Sequence, residues 1–99
     1  MDTSVTKTGE ISTVNVPGNL DVAASTTFKQ TLEEVISNSV KIELDFSKTE
    51  LVTSAGLRVL LQAEKNVKKA EKTMVFINVS KDVMEIFELT GVTKIFKVI

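Results

Sequence analysis

Residues 40–61, VKIELDFSKTELVTSAGLRVLL, decide how this chain folds. From Val40 to Phe46 apolar side chains alternate with charged ones, which predicts a β-strand with one buried and one charged face. From Ser54 onward the apolar residues recur every three or four positions, which predicts an α-helix. A strand that leads through a short polar loop into a helix is the repeating unit of α/β folds.

The same two patterns continue on either side of this stretch. Strands are predicted at 11–16, 40–46 and 73–79, a last apolar strand or edge at 95–99, and helices at 22–37, 54–72 and 81–90. Asp21 and Ser80 precede two of these helices, where a short polar side chain caps free backbone N–H groups, and Gly91 supplies a helix stop. The order β-α-β-α-β-α-β predicts an α/β domain in which helical crossovers join parallel strands.

The charges of the strand at 40–46 predict how the sheet is covered. Lys41, Glu43 and Asp45 share one of its faces, and a strand buried on both faces would not carry three charges. We therefore expect a mixed, largely parallel sheet with helices packed mainly on one face. The 99 residues fit a single domain. Its core is expected at about 10–99, with residues 1–9 as an N-terminal strand or a flexible lead-in.

The residue types that the sequence lacks exclude most enzyme chemistry. The sequence contains no His, Cys, Tyr or Trp. Imidazole bases, thiolate nucleophiles, disulfides and metal sites built on imidazole or thiolate are therefore excluded. An enzyme would have to work with Asp, Glu, Lys, Ser or Thr alone. We predict a non-catalytic domain that needs no metal and no cofactor.

Charge and hydropathy argue against nucleic-acid and membrane partners. The net charge is −1, and no apolar run approaches the ~20 residues that span a bilayer. The first residues lack the apolar core of a signal peptide, which predicts a soluble, cytoplasmic domain. Lys65, Lys68, Lys69 and Lys72 lie near a predicted helix C-terminus, where cations match the negative end of the helix dipole. Without Tyr or Trp for stacking, this run does not indicate a nucleic-acid site.

Ser54 is the candidate functional residue that the pattern itself singles out. It stands where the polar loop enters the second helix, so that free backbone N–H groups and the positive end of the dipole would favour a phosphate there. Two interpretations are open from the pattern alone. The serine is an ordinary N-cap, or it is a phosphorylation switch.

Three short motifs, in this order, resemble those of the STAS domain family. Residues 18–21, GNLD, are similar to the family's Gly-Glu-Leu-Asp signature. Residues 45–47 and 52–57, DFS and VTSAGL, are similar to its Asp-Leu-Ser … Asp-Ser-x-Gly-Leu signature. Residues 89–96, LTGVTKIF, resemble its closing Leu-x-Gly-Leu-x-x-x-Phe element. The resemblance extends over about residues 10–97.

The resemblance implies a function for these residues. Small stand-alone STAS proteins are typically anti-sigma factor antagonists. Unphosphorylated, they bind an anti-sigma factor that is also a serine kinase, and so free the sigma factor. The kinase phosphorylates a serine that matches Ser54, and a metal-dependent phosphatase of the PP2C type reverses the modification. The free protein is then expected to be a monomer, with a partner-binding surface that comprises Asp21, Thr53, Ser54, Ala55, Gly56 and Arg58.

Two departures from the family pattern leave alternatives open. The Asp that usually precedes the phosphorylated serine is Thr53 here, which makes Thr53 a candidate second acceptor. The family usually carries another helix after its last strand, whereas this sequence ends at Ile99. One alternative is a STAS subunit that docks on the ATPase of an ABC system for membrane lipids without a phosphorylation switch. The other alternative is an enzyme that uses Asp21 and Ser54. The sequence shows no base with a suitable pKa for such an enzyme.

Overall fold

The computed structural model describes residues 5–99 as a main sheet, a short two-stranded ladder and three helices. The strands are β1 (Val5–Thr8), β2 (Ile11–Asn15), β3 (Asn19–Leu20), β4 (Lys41–Asp45), β5 (Leu51–Val52), β6 (Thr73–Ile77) and β7 (Lys97–Val98). The helices are α1 (Val22–Asn38), α2 (Ser54–Lys69) and α3 (Lys81–Thr90). A 3₁₀ turn at Val92–Lys94 joins α3 to β7. The predicted α/β class is confirmed.

The main sheet has the strand order β1-β2-β4-β6-β7. β1 runs antiparallel to β2, and the remaining neighbours are parallel, so the sheet is mixed and largely parallel as predicted. The chain passes through α1, α2 or α3 between successive parallel neighbours, as parallel pairing requires a crossover. Within the predicted N-terminal segment 1–9, Val5–Thr8 form β1. The part of that segment before Val5 lies outside the described residues.

The core lies on one face of the main sheet. Along β4, Ile42 and Leu44 are fully buried, whereas Lys41, Glu43 and Asp45 on the other face are half-buried. The alternation matches the period of a strand, because successive side chains point to opposite faces. Hydrophobic burial is therefore concentrated on the side that the helices cover, as the charge pattern predicted.

Four phenylalanine rings tie α3 and the last strand to the centre of the sheet. Phe46 and Phe76 stack with their ring centroids 5.4 Å apart, and Phe76 and Phe96 stack at 4.4 Å. Phe87 of α3 meets Phe46 and Phe76 edge-on at 5.9 Å in each case. Such ring pairs contribute about 0.5–1.5 kcal/mol beyond the burial of their area.

The ladder between β3 and β5 is an element that the sequence analysis missed. Asn19 pairs with Leu51 and Leu20 with Val52, in parallel. Strands this short carry no period-2 pattern, so periodicity could not reveal them. The ladder sets the starts of α1 and α2 side by side, because each helix begins two residues after one of its strands.

Helix α2 ends at Lys69, whereas the prediction placed its end near Lys72. Glu71 adopts a left-handed conformation with φ 59°. The N–H of Glu71 then donates to the carbonyl of Lys68 at 3.1 Å, and the N–H of Lys72 to that of Val67 at 2.9 Å. These are the two bonds of a Schellman ending, which glycine usually marks. The predicted end was wrong because a glutamate takes the glycine's place.

Gly56 allows α2 to lie against the ladder. A Cβ atom at this position would stand 2.6 Å from the carbonyl oxygen of Leu20 and 2.8 Å from its Cγ. Any side chain would force α2 and the ladder apart, so the close approach requires glycine.

Replacing Gly56 with alanine should destabilise the fold by about 1–2 kcal/mol. Overpacking costs about 1–3 kcal/mol, and a Cβ at 2.6 Å from a backbone oxygen belongs to the upper part of that range, about 2–3 kcal/mol. The gain in helix propensity of about 1 kcal/mol offsets part of this cost. Urea unfolding followed by circular dichroism measures the change. Gly18→Ala is the matched control, since a Cβ there would meet its nearest atom at 3.4 Å. Equal stability of Gly56→Ala and the wild type would contradict the close contact.

Glu64 is a buried carboxyl group on the inner side of α2. The residue is 7% exposed, and its Oε1 has no hydrogen-bond partner among the described residues. Burial raises the pKa of Glu64, and the positive charge of Lys68 offsets this only in part. The charged form of Glu64 is therefore less favourable in the folded state than in the unfolded chain.

Replacing Glu64 with glutamine should raise the free energy of unfolding at neutral pH, and this advantage should shrink on acidification. A carboxyl group whose pKa rises on folding stabilises the fold fully only below its unfolded pKa, and that contribution is lost as the pH rises through the folded pKa. Urea unfolding from neutral pH down to about pH 4 tests this. Glu85→Gln, at an exposed position of α3, is the control. A difference in the free energy of unfolding between Glu64→Gln and the wild type that is the same at every pH would contradict the prediction.

Candidate functional site

The starts of α1 and α2 lie side by side and form the candidate site. Asp21 caps α1, its Oδ1 accepting a hydrogen bond from the N–H of Ala24 at 2.9 Å. Thr53 caps α2, its Oγ1 accepting from the N–H of Gly56 at 3.4 Å. The N–H of Thr53 donates to the carbonyl of Leu20, the residue before Asp21, at 3.0 Å. The positive ends of two helix dipoles are thereby brought together.

The Thr53 hydroxyl both donates and accepts a hydrogen bond. It donates to the carbonyl of Leu20 at 3.1 Å while it accepts from the N–H of Gly56. The residue is also half-buried. The Thr53 oxygen therefore takes part in both the cap of α2 and the contact with β3. It is poorly placed to accept a phosphoryl group.

Ser54 is the first residue of α2, and its side chain is exposed. Within residues 5–99 its hydroxyl makes no hydrogen bond. The interpretation of Ser54 as the N-cap is wrong, because Thr53 has the extended backbone of a cap (φ −87°, ψ 174°) and makes the cap bond. The Ser54 hydroxyl therefore stands free beside the first turn of the helix.

The other residues of the predicted partner-binding surface divide between surface and interior. Arg58 is exposed one turn after Ser54, and Asp21 and Ala55 are half-buried. Gly56 is buried, and its role in the structure is the close packing of α2 rather than exposed surface. The structure thus joins the start of α2 to the residue before Asp21 through Thr53 and leaves Arg58 on the turn after Ser54.

Thr49 and Asp45 hold the loop that leads into the site, and the sequence analysis missed both roles. Thr49 is buried, and its Oγ1 donates to the carbonyl of Pro17 at 2.9 Å. Asp45 Oδ1 accepts from the N–H of Ser47 at 2.9 Å and from the side-chain amide of Asn78 at 3.2 Å. Burial acts to raise the pKa of Asp45, but these hydrogen bonds outweigh it and lower the pKa. A threonine buried in a polar loop gives no periodic signal, so it could not be found from the pattern.

The site presents an exposed hydroxyl at the positive end of a helix, next to a carboxylate that serves as a cap. Within residues 5–99, no group of three or more acidic side chains is placed to hold a metal ion. No helix in the same part of the chain is both long enough and apolar enough to cross a bilayer. A covalent change at Ser54 would alter the surface of the site and leave the buried contacts beneath it in place.

Three comparisons with known proteins agree with this geometry. A family model described as "Mlab, STAS domain" matches residues 3–98. BtrV of Bordetella bronchiseptica, named as a candidate anti-sigma factor antagonist, is 33% identical over 58 residues, which cover 59% of this chain. The match spans only 50% of the length of BtrV. The anti-sigma-B factor antagonist of Listeria monocytogenes is 24% identical over 84 residues, which cover 84% of this chain and 74% of that protein.

Solved structures of the anti-sigma factor antagonist SpoIIAA share the fold. The unphosphorylated form superposes with a TM-score of 0.82 at 17% identity, over 99% of this chain and 88% of that one. The phosphorylated form of this Bacillus protein superposes with a TM-score of 0.77 at 16% identity, over 99% and 91% of the two chains. The family model spans nearly the whole sequence, and the chain therefore belongs to the STAS domain family.

Proposed function

We propose that this chain is an anti-sigma factor antagonist that is switched by phosphorylation of Ser54. The observation that carries the proposal is the exposed, unbonded hydroxyl of Ser54 at the start of α2. Relatives named as anti-sigma factor antagonists support it, as does the existence of a phosphorylated form of SpoIIAA, whose fold this chain shares.

A phosphate on Ser54 would change the surface without unfolding the domain. It adds about −1.5 to −2 charges at pH 7 and three strong hydrogen-bond acceptors. The dipole at a helix N-terminus stabilises a negative charge by about 0.3–1 kcal/mol. The effect of the modification would therefore fall on the partner that docks at the start of α2.

Thr53, in place of the usual Asp, is compatible with this switch. Threonine and aspartate are both favoured N-caps, and Thr53 makes the cap bond to Gly56. Its hydroxyl also donates to Leu20. A phosphate on Thr53 would remove the proton that the hydroxyl donates to Leu20, so we propose Ser54 as the acceptor.

In the proposed cycle, the unphosphorylated chain binds an anti-sigma factor that is also a serine kinase, and the sigma factor is freed. The kinase then phosphorylates Ser54 and the complex separates, until a PP2C-type phosphatase removes the phosphate. The chain acts in the cytoplasm as a monomer and contributes no catalysis, and ATP enters only as the substrate of the kinase. Asp21, Ala55 and Arg58 would surround Ser54 in the docked complex.

Incubation with ATP and candidate serine kinases of the anti-sigma type tests the acceptor. The wild type should gain one phosphate, measured by intact mass, because the Ser54 hydroxyl is free to react. Ser54→Ala should gain none, since it removes the only free hydroxyl at the start of α2. Thr53→Val should still be modified, although loss of the cap should cost about 1 kcal/mol of stability.

A phosphate on Ser54→Ala would instead place the acceptor at Thr53 or elsewhere. No phosphate on the wild type with any kinase of the panel would contradict the proposed switch. That result would favour the alternative of a STAS subunit that docks on an ABC ATPase without phosphorylation.

Asp21→Asn separates the charge of this residue from its role as a cap. Asparagine caps about as well as aspartate, so the free energy of unfolding should change little, whereas Asp21→Ala should lose about 1 kcal/mol. We expect both variants to bind the kinase about tenfold more weakly, measured by titration calorimetry, because the carboxylate beside Ser54 would contact it. Unchanged kinase binding by Asp21→Asn would mean that Asp21 only caps α1 and does not contact the kinase through its charge.

A further inference from the structure

One line of side chains along the outer face of α2 carries only positive charge. Ser54, Arg58, Lys65 and Lys69 occupy positions i, i+4, i+11 and i+15 of the helix, which fall within an arc of about 60°. All four are exposed. From end to end the line measures about 22 Å at 1.5 Å per residue. We call Arg58, Lys65 and Lys69 the α2 stripe, with Ser54 at its N-terminal end.

The charges of the α2 stripe are not neutralised within the molecule. In the part of the chain that the structure describes, none of its three side chains makes a hydrogen bond or an ion pair. The acidic residue of α2, Glu64, is buried on the inner side of the helix. Gln62 and Asn66 lie beside the lysines and line a shallow hollow with them. The stripe therefore presents uncompensated positive charge to solvent, with the amide groups of Gln62 and Asn66 beside it.

The helix dipole accounts for only part of this charge. Lys68 and Lys69 lie in the last turn, where cations match the negative end of the dipole. Lys72 donates to a carbonyl in the last turn of α1 and so serves that helix instead. Arg58 lies beyond the first turn and Lys65 lies before the last turn, so neither cation is at the negative end of the dipole. The helix dipole therefore does not account for the position of these two cations.

The exposed surfaces of the other two helices carry acidic residues. Glu33 and Glu34 are exposed on α1, which packs against α2. The exposed charges of α3 are mostly negative as well, at Asp82, Glu85 and Glu88. A long polyanion such as DNA, or a continuous anionic membrane, would extend beyond the stripe onto the rest of a chain whose net charge is −1. A compact acidic patch on a folded partner would contact the stripe alone.

We propose that the α2 stripe docks an acidic surface of a protein partner. The inference rests on the proposed function, because it names the chemistry of the partner that Ser54 phosphorylation would control. A phosphate on Ser54 would stand one turn from Arg58, within reach of an i, i+4 pair. It would withdraw Arg58 from the partner and repel the partner's carboxylates, so that phosphorylation releases the complex.

Charge reversal tests the stripe against the kinase that phosphorylates Ser54. The stripe variant combines Arg58→Glu, Lys65→Glu and Lys69→Glu, all at exposed positions, and circular dichroism checks that it folds. We expect its affinity for the kinase to fall more than about tenfold. The wild-type affinity should also weaken as salt is raised, and that of the stripe variant should change less.

The control variant combines Lys81→Glu, Lys94→Glu and Lys97→Glu, three exposed cations outside α2 that change the net charge by the same amount. It should keep an affinity within about twofold of the wild type. An equal loss of affinity in both variants, or no loss in the stripe variant, overturns the inference. Either result leaves the phosphorylation of wild-type Ser54 standing, so it is distinct from a failure of the proposed function.

A polyglutamate peptide tests the surface without the kinase, and it decides the inference if no kinase of the panel modifies the chain. Amide shifts in the NMR spectrum should concentrate on α2 in the wild type and the control variant, and should vanish in the stripe variant. Shifts spread evenly over all exposed lysines overturn the inference. Tighter binding of a short DNA duplex or of phosphatidylserine vesicles than of the peptide also overturns it, in favour of a nucleic-acid or membrane surface.

Discussion

The approach of α2 to the carbonyl oxygen of Leu20 is the contact on which the rest of the site depends. Gly56 lacks the Cβ that would stand 2.6 Å from this oxygen. Thr53 donates both its N–H and its hydroxyl to the same atom, at 3.0 and 3.1 Å. One backbone oxygen thereby sets the start of α2 beside Asp21, the cap of α1. Ser54 is positioned by its neighbours, and its hydroxyl makes no hydrogen bond to any residue of 5–99, which leaves it available for modification.

The two sides of α2 differ in burial and charge. Its inner side packs on the sheet and the ladder, and it includes Glu64, whose burial raises the pKa of the carboxyl. Its outer side carries the cations of the α2 stripe, which no acidic residue of α2 offsets at the surface. The inner side of the helix is therefore buried, and its outer side is positively charged. A partner that docks at Ser54 would meet positive charge along the following turns.

The errors in the sequence analysis have local physical causes. The pattern leaves open whether Ser54 is the N-cap, because serine and threonine both favour that position, and the extended backbone at Thr53 decides between them. The end of α2 was placed too late because Glu71 adopts the left-handed conformation that glycine usually signals. Gly56 is also part of the predicted partner-binding surface, and its motif does not reveal that its small size serves the packing beneath that surface.

The sequence by itself determined the α/β class, the buried face of β4 and the caps of α1 and α3. These properties depend on residues a few positions apart, whose spacing matches the period of a strand or a helix or the geometry of a cap. Only the tertiary structure decided that β3 pairs with β5 and that Thr49 anchors the loop. It also decided that, among residues 5–99, the Thr53 hydroxyl is hydrogen-bonded and that of Ser54 is not. Each of these depends on contacts between segments distant in the chain, and no local spacing records which distant groups will meet.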